Sequence, residues 1–180
     1  MFTIFTKSNY IQIQTESTSI YWGNSANNPK INNSIFLSQD RSNFSFWDPD
    51  KGVISNIGQF SLKSFEIDSF LLNDNDLCYK VKFDHINFAF LSNIKESSVI
   101  EKIGEPQILF IQTNNSDIPN ILSVCQNANP KLVVFFSQNQ DIEKIKQLIT
   151  QNLTSMENGY KIRSKDLNTE NTQYLIISNN

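Results

Sequence analysis

The sequence predicts an α/β fold, a layered sandwich of sheets and helices. Three observations lead to it. The first third of the chain is a series of short β-branched and aromatic runs, and a two-residue turn then joins two apolar-alternating runs. After Ser97 short helical patterns alternate with continuously apolar strands. A β-rich half followed by a βαβα order is the signature of packed layers around a shared core.

The elements follow in order. Phe2 to Phe5, Tyr10 to Gln14 and Ser19 to Trp22 read as strands separated by Lys-Ser-Asn and Thr-Glu-Ser turns. Gly23-Asn-Ser-Ala-Asn-Asn-Pro-Lys30 is a loop on composition. Ile35 to Leu37 is an apolar strand that runs into a polar loop, and Trp47-Asp-Pro-Asp-Lys-Gly52 is a turn cluster. Val53 to Ser55 and Gln59 to Ile67 read as strands. Leu77 to Phe83 and Ile86 to Leu91 flank Asp84-His85 as a hairpin. Ser97 to Ile103 is a short helix, Gln107 to Ile111 a buried strand, Asp117 to Cys125 a helix and Lys131 to Phe136 a second buried strand. Asp141 to Leu153 carries apolar residues at 142, 145, 148, 149 and 153, a helical stripe. Lys161-Ile162 and Tyr174 to Ile177 are expected to close the chain as a small strand pair. There is no repeat or low-complexity linker, so residues 1–180 are expected to form one domain.

Composition narrows the function. At 180 residues with 39% hydrophobic residues and 14 phenylalanines, the chain has the means to bury a substantial core. A net charge of −3 and the absence of any Lys/Arg-rich run argue against a nucleic-acid surface. No apolar stretch reaches the roughly 18 residues that span a bilayer, and the start MFTIFTKSNY has no signal-peptide pattern. Cys78 and Cys125 are far apart and each lies in an apolar run, so a disulfide framework is not expected. The cysteine usage makes a reduced, cytoplasmic setting the expectation.

Several stretches point to one family. They are Ser34-Ile-Phe-Leu-Ser-Gln-Asp-Arg-Ser-Asn-Phe44, Ile57-Gly-Gln-Phe-Ser-Leu-Lys-Ser-Phe65 and Val81-Lys-Phe-Asp-His-Ile-Asn-Phe-Ala-Phe-Leu-Ser-Asn93. Ile103-Gly-Glu-Pro-Gln-Ile-Leu-Phe-Ile111, Asn129-Pro-Lys-Leu-Val-Val-Phe-Phe-Ser137 and Lys161-Ile-Arg-Ser-Lys-Asp-Leu167 follow in the same order. The series resembles the metallo-β-lactamase superfamily, and within it the compact branch similar to ascorbate-phosphate-lactonase-like hydrolases. The resemblance implies a four-layer αββα sandwich. It also implies where metal ligands would stand. The lead-in residue is Ser38; the first histidine pair falls on Gln39 and Arg41, and the Asp-His pair on Asn43 and Phe44. The bridging aspartate falls on Asn93 and the last histidine on Ser137. A further histidine would fall near Leu71.

None of these positions keeps its donor. Catalytic zinc takes imidazole, thiolate or carboxylate ligands with one open position. A guanidinium repels a cation, phenylalanine has no lone pair, and the amides of Gln and Asn are poor zinc ligands. Without a metal there is no activated water for this reaction class. The expectation is a non-catalytic protein with no cofactor, no nucleic acid and no membrane partner, acting by binding a protein partner, by self-association or as a structural subunit. The alternative is a module, or a metal-independent enzyme, that reuses the old pocket.

Arg41 carries that alternative. Its guanidinium either pairs with Asp40, Asp48 or Asp50, or holds a small anion. Phe44, Phe46 and Trp47 either plug the pocket or stack a ligand. Asp40, Asn43 and Asn93 make a poor oxygen site for Mg²⁺ or Ca²⁺, since one carboxylate is too few. Asp48 and Asp50 flank Pro49 and read as a turn, not as an acid/base pair. His85, the single histidine, sits in the hairpin turn and is expected to be exposed. Cys78, seven residues before it on the strand, points to the opposite face. Ser38, Ser92 and Ser137 have no general base in view.

Overall fold

The computed structural model describes residues 1–7, 10–23, 34–39, 52–62, 64–72, 76–114, 116–137, 140–149, 152–156 and 159–178. In chain order these give β1 (Phe2–Lys7), β2 (Tyr10–Gln14), β3 (Ser19–Gly23), β4 (Ser34–Ser38), β5 (Val53–Ile54), β6 (Gly58–Leu62), β7 (Phe65–Leu71), β8 (Leu77–Phe83) and β9 (Ile86–Ser92). Then come α1 (Ile100–Ile103), β10 (Ile108–Gln112), α2 (Ile118–Ala128), β11 (Leu132–Ser137), α3 (Gln140–Leu148), β12 (Leu153–Met156), β13 (Tyr160–Ile162) and β14 (Gln173–Ser178). Short 3₁₀ turns at Ser97–Val99 and Ser164–Leu167 precede α1 and follow β13.

The strands form two sheets. One has the order β13-β1-β2-β3-β4-β5, the other β12-β14-β11-β10-β9-β8-β7-β6. In the second, β6 to β9 form an antiparallel meander and β9, β10, β11, β14 and β12 are parallel. Parallel strands need covering on both faces, and the residues show how it is done. Along β9, Phe88 and Phe90 face the other sheet while Ala89 and Leu91 face the helices, and all four are buried. A strand buried on both sides has no polar alternation to keep, which is why this stretch reads as an unbroken apolar run.

The inter-sheet core joins Ile4, Ile13, Trp22 and Leu37 of one sheet to Tyr79, Phe90, Phe110 and Val134 of the other. The second core packs Ile103, Ile121, Val124 and Ile145 onto the outer face of the eight-stranded sheet. Tyr21 and Phe36, on the far side of the six-stranded sheet, are also buried, whereas the same face of β2 is half-buried to exposed. This is the layered α/β sandwich expected from the sequence.

Local chemistry sets the boundaries. The β8–β9 turn places Asp84 and His85 at φ 47° and 64°, the left-handed pair that a two-residue hairpin with matching twist requires. α2 has a proline in its first turn and ends on Asn129 at φ 44°, whose N–H returns to Cys125 O at 3.2 Å.

Three expectations are corrected. Gln59 to Ile67 is not one strand: Leu62 and Phe65 pair across a two-residue connection, making β6 and β7 a hairpin. The helix expected to reach Leu153 ends at Leu148, which is 56% exposed; Asn152 turns left-handed at φ 56° and Leu153 begins β12. Lys161-Ile162 and Tyr174 to Ile177 do not pair with each other. The first extends the six-stranded sheet beside β1, and the second lies parallel to β11 in the eight-stranded sheet.

Candidate functional site

The two sheets meet at the C-terminal ends of β3 and β4 on one side and of β9, β10 and β11 on the other. Ser38 ends β4 opposite Gly23 and is fully buried. Gln39 continues the ladder, its N–H donating to Gly23 O at 2.9 Å. It then crosses to the other sheet, where its carbonyl accepts the Leu77 N–H at 2.9 Å. Tyr79 ties the same junction. Its hydroxyl lies 2.5 Å from Ser38 O and 3.0 Å from Ile54 O and shares one proton between the two carbonyls.

The β8–β9 ladder pairs Tyr79 with Phe90, and just beyond it a side-chain hydrogen bond joins Asn93 to Asp76. Asn93 leaves the strand at φ 52° and donates through Nδ2 to Asp76 Oδ2 at 2.6 Å. The chain beyond it is anchored: Ile94 N–H donates to Ser116 Oγ at 2.9 Å, and Asp117 N–H to Ile94 O at 2.7 Å. Across the sheet Ser92, Gln112 and Phe136 are in register, and Thr113 N–H donates to Phe136 O at 3.1 Å, so the Ser137 backbone ends at the same level.

Thus Ser38, Gln39, Asn93 and the Ser137 backbone lie at one end of the sandwich, and Leu71, paired with Leu77, borders it. Arg41, Asn43 and Phe44 lie outside the described residues, as do Asp40, Phe46, Trp47, Asp48 and Asp50. His85 is exposed in the turn at the opposite end of β9, about 20 Å away at roughly 3.3 Å per residue. Sequence reasoning missed Asp76, Tyr79 and Trp22. For Asp76 a signal existed, since a two-residue turn at 84–85 fixes the register that brings 76 against 93.

The donors among the described residues do not fit zinc. The chain holds one histidine, and it is at the wrong end. Among the described residues there is no group of three or more His, Cys, Asp or Glu. Cys78 and Cys125 are free and buried, and both face the helical layer. Burial pushes each thiol up to about 12, so at pH 8 only roughly one in ten thousand is a thiolate. Burial and the raised proton affinity both work against either thiol acting as a nucleophile or ligand. A folded sample at pH 8 should therefore leave a thiol-specific disulfide reagent unconsumed over minutes, whereas the unfolded chain should react at both cysteines. Because the folded thiols bind protons more tightly than the unfolded ones, their contribution to stability is complete below about pH 9 and is lost as pH rises towards about 12.

An open groove of about 1010 Å³ lies elsewhere, beside α3, β12 and β14, lined by Lys146, Glu170 and Tyr174 among others. It holds none of the residues singled out by sequence. No buried side-chain polar atom without a partner lines it among the described residues.

A sandwich of these two sheets, with helices on the outer face of the eight-stranded one and a candidate site at the strand ends, defines the class. The chain has the metallo-β-lactamase fold. A Thermotoga maritima protein of the metallo-β-lactamase superfamily, assigned as a Zn-dependent hydrolase, superposes with a TM-score of 0.80 over 99% of both chains at 12% identity. The Bacillus subtilis metallo-β-lactamase fold protein YhfI superposes with a TM-score of 0.54, covering 98% of this chain and 96% of its own, at 8% identity. No family model matches the sequence, and no curated protein matches it. At such identities the likeness is one of fold.

Proposed function

We propose that this protein is a metal-free relative of the metallo-β-lactamase-fold hydrolases, acting by binding and not by hydrolysis. The observation that carries the reading is the position of its single histidine, in the β8–β9 turn at the far end from Ser38, Gln39 and Asn93. Hydrolysis in this class needs metal-activated water, and among the described residues the site end offers amides, hydroxyls and a carboxylate already bonded to Asn93. The role is then to bind a protein partner or a second copy, or to serve structurally. A cytoplasmic setting accords with the two buried reduced thiols. No described helix is long and apolar enough to cross a membrane.

A second reading has its own support: the pocket is retained for a small ligand, with Arg41 as a candidate anion contact. It rests on buried polar groups at the strand ends that have not been replaced by apolar ones. Elemental analysis of protein purified without chelators tests the metal-free reading. Zinc well below one atom per chain is expected, and stoichiometric zinc retained through dialysis would sink it.

A further inference from the structure

Three buried side-chain donors at this end of the sandwich have no hydrogen-bond partner among the described residues: Trp22 Nε1, Gln39 Nε2 and Ser92 Oγ. They are 0%, 6% and 4% exposed. Strand alternation sends all three the same way. Trp22 is part of the inter-sheet core; Gln39 follows Leu37, and Ser92 follows Phe90, each two residues after an inward-facing core side chain. They are also neighbours. The Trp22 ring lies 5.5 Å from that of Phe90, which precedes Ser92 by two residues; Trp22 pairs with Leu37 across β3 and β4; and Leu77, two residues before Phe90's partner Tyr79, donates to Gln39 O. Two residues along a strand is about 7 Å, so alternation brings the three polar ends close to one another at the same end of the inter-sheet layer.

The character of that space selects its occupant. Buried polar groups are nearly always bonded, and each one left bare costs about 1–3 kcal/mol. An indole N–H only donates, an amide nitrogen only donates, and a serine hydroxyl can turn its proton inward. For these three, what is missing is an acceptor; the buried acceptor Asn93 Oδ1 belongs with Asp76, to which the same side chain is bonded. The nearby carboxylate does not supply it or oppose it: Asp76 has the strand parity of Cys78, which faces the helical layer, and it is bonded to Asn93. Thr113 follows Ile111 on that helical side and belongs to other surroundings. We infer that the inter-sheet space at the ends of β3, β4 and β9 is a binding site for a small oxyanion of the carboxylate or phosphate type, held by Trp22 Nε1, Gln39 Nε2 and Ser92 Oγ. Gln39 and Ser92 keep their slight exposure at the strand ends, where the anion enters, and Trp22 closes the inner side. This inference rests on the metal-free reading above, because a metal bound at the same end would bring its own water as the acceptor.

The indole proton gives a direct readout. The chain has two tryptophans, so a ¹⁵N-labelled sample shows two indole resonances, and the one lost in Trp22→Phe is assigned to Trp22. Inorganic phosphate and acetate are titrated separately against sodium chloride at matched ionic strength. The expected result is a saturable shift of the Trp22 resonance with one of the two anions, which also tells phosphate chemistry from carboxylate chemistry. Ser92→Ala and Gln39→Leu should each weaken that binding by tenfold or more. A Trp22 resonance that neither anion moves, as when trapped water serves the three donors, overturns the inference. So does an equal response in both variants. If the variants fail to fold, the wild-type titration still decides. Zinc in the purified protein would overturn the metal-free reading instead, so the two failures are distinguishable.

Discussion

Phe110→Ala is expected to cost about 3–5 kcal/mol, the range for emptying a buried phenylalanine site. Phe110 sits in the middle of β10, fully buried, and faces the six-stranded sheet. Its ring stacks on Phe90 with centroids 4.7 Å apart and planes 6° from parallel, and reaches Phe88 at 6.3 Å. Removing it strips partners from two rings at once, and strands held by neighbours on both sides cannot close in to fill the gap. For a chain of this length each kcal/mol lowers the melting temperature by roughly 2–4 °C, so a fall of about 10 °C is expected. Phe110→Leu, which keeps most of the volume, should cost much less. Ile57→Ala, at a side chain 50% exposed, should stay within about 0.5 kcal/mol. Urea melts of the three variants check this ordering. A Phe110→Ala loss no larger than that of Ile57→Ala would mean that the two sheets do not share this core.

Much of the fold was legible because burial leaves a pattern. The unbroken apolar runs around Phe88 to Leu91, Leu109 to Ile111 and Val133 to Phe136 are what two-sided burial produces in a parallel sheet. The 84–85 turn was legible for a similar local reason. What escaped was information that does not lie in neighbouring residues. The β6–β7 connection contains Lys63 and Ser64, neither of them a Gly, Asn or Asp turn signal, so the two strands read as one. Leu153 keeps helical spacing from Ile149 by coincidence of period, and only the left-handed Asn152 and pairing with β14 make it a strand. Ile162 and Leu175 each pack into the inter-sheet core from different sheets. Apolar pattern alone cannot say which edge a strand joins.

The candidate site divides in the same way. Ser38, Gln39 and Asn93 were marked by the resemblance, as the positions where the family's lead-in and metal-ligand motifs would fall, and the structure sets them at one end of the sandwich. Trp22 read as ordinary core because its polar atom is a single N–H on a large apolar ring. Its relevance depends on a neighbour sixty-eight positions away, Phe90. Tyr79 was hidden likewise: in sequence it is one more aromatic residue in β8, and its two acceptors belong to the opposite sheet.

Tyr79→Phe tests how firmly that end is held. The substitution keeps the ring, which is fully buried in the inter-sheet core, and removes only the hydroxyl. The loss is the shared proton at Ser38 O and Ile54 O, the ends of β4 and β5. Deleting one partner of a buried hydrogen bond strands the other, and here two carbonyls lose a donor, so about 2–3 kcal/mol is expected. The effect should also be local. β5 is two residues long and sits at the edge of its sheet, so it has few other ties. Amide exchange at Leu37 and Ile54 should therefore quicken by more than the global loss of stability accounts for, while that of Phe110 should follow the global value. Gln39, one residue beyond Ser38, should loosen with them, and oxyanion binding at Trp22 should weaken although Tyr79 supplies no contact to the ligand. Equal protection changes across both sheets would show that Tyr79 contributes only to the general core and does not position the site.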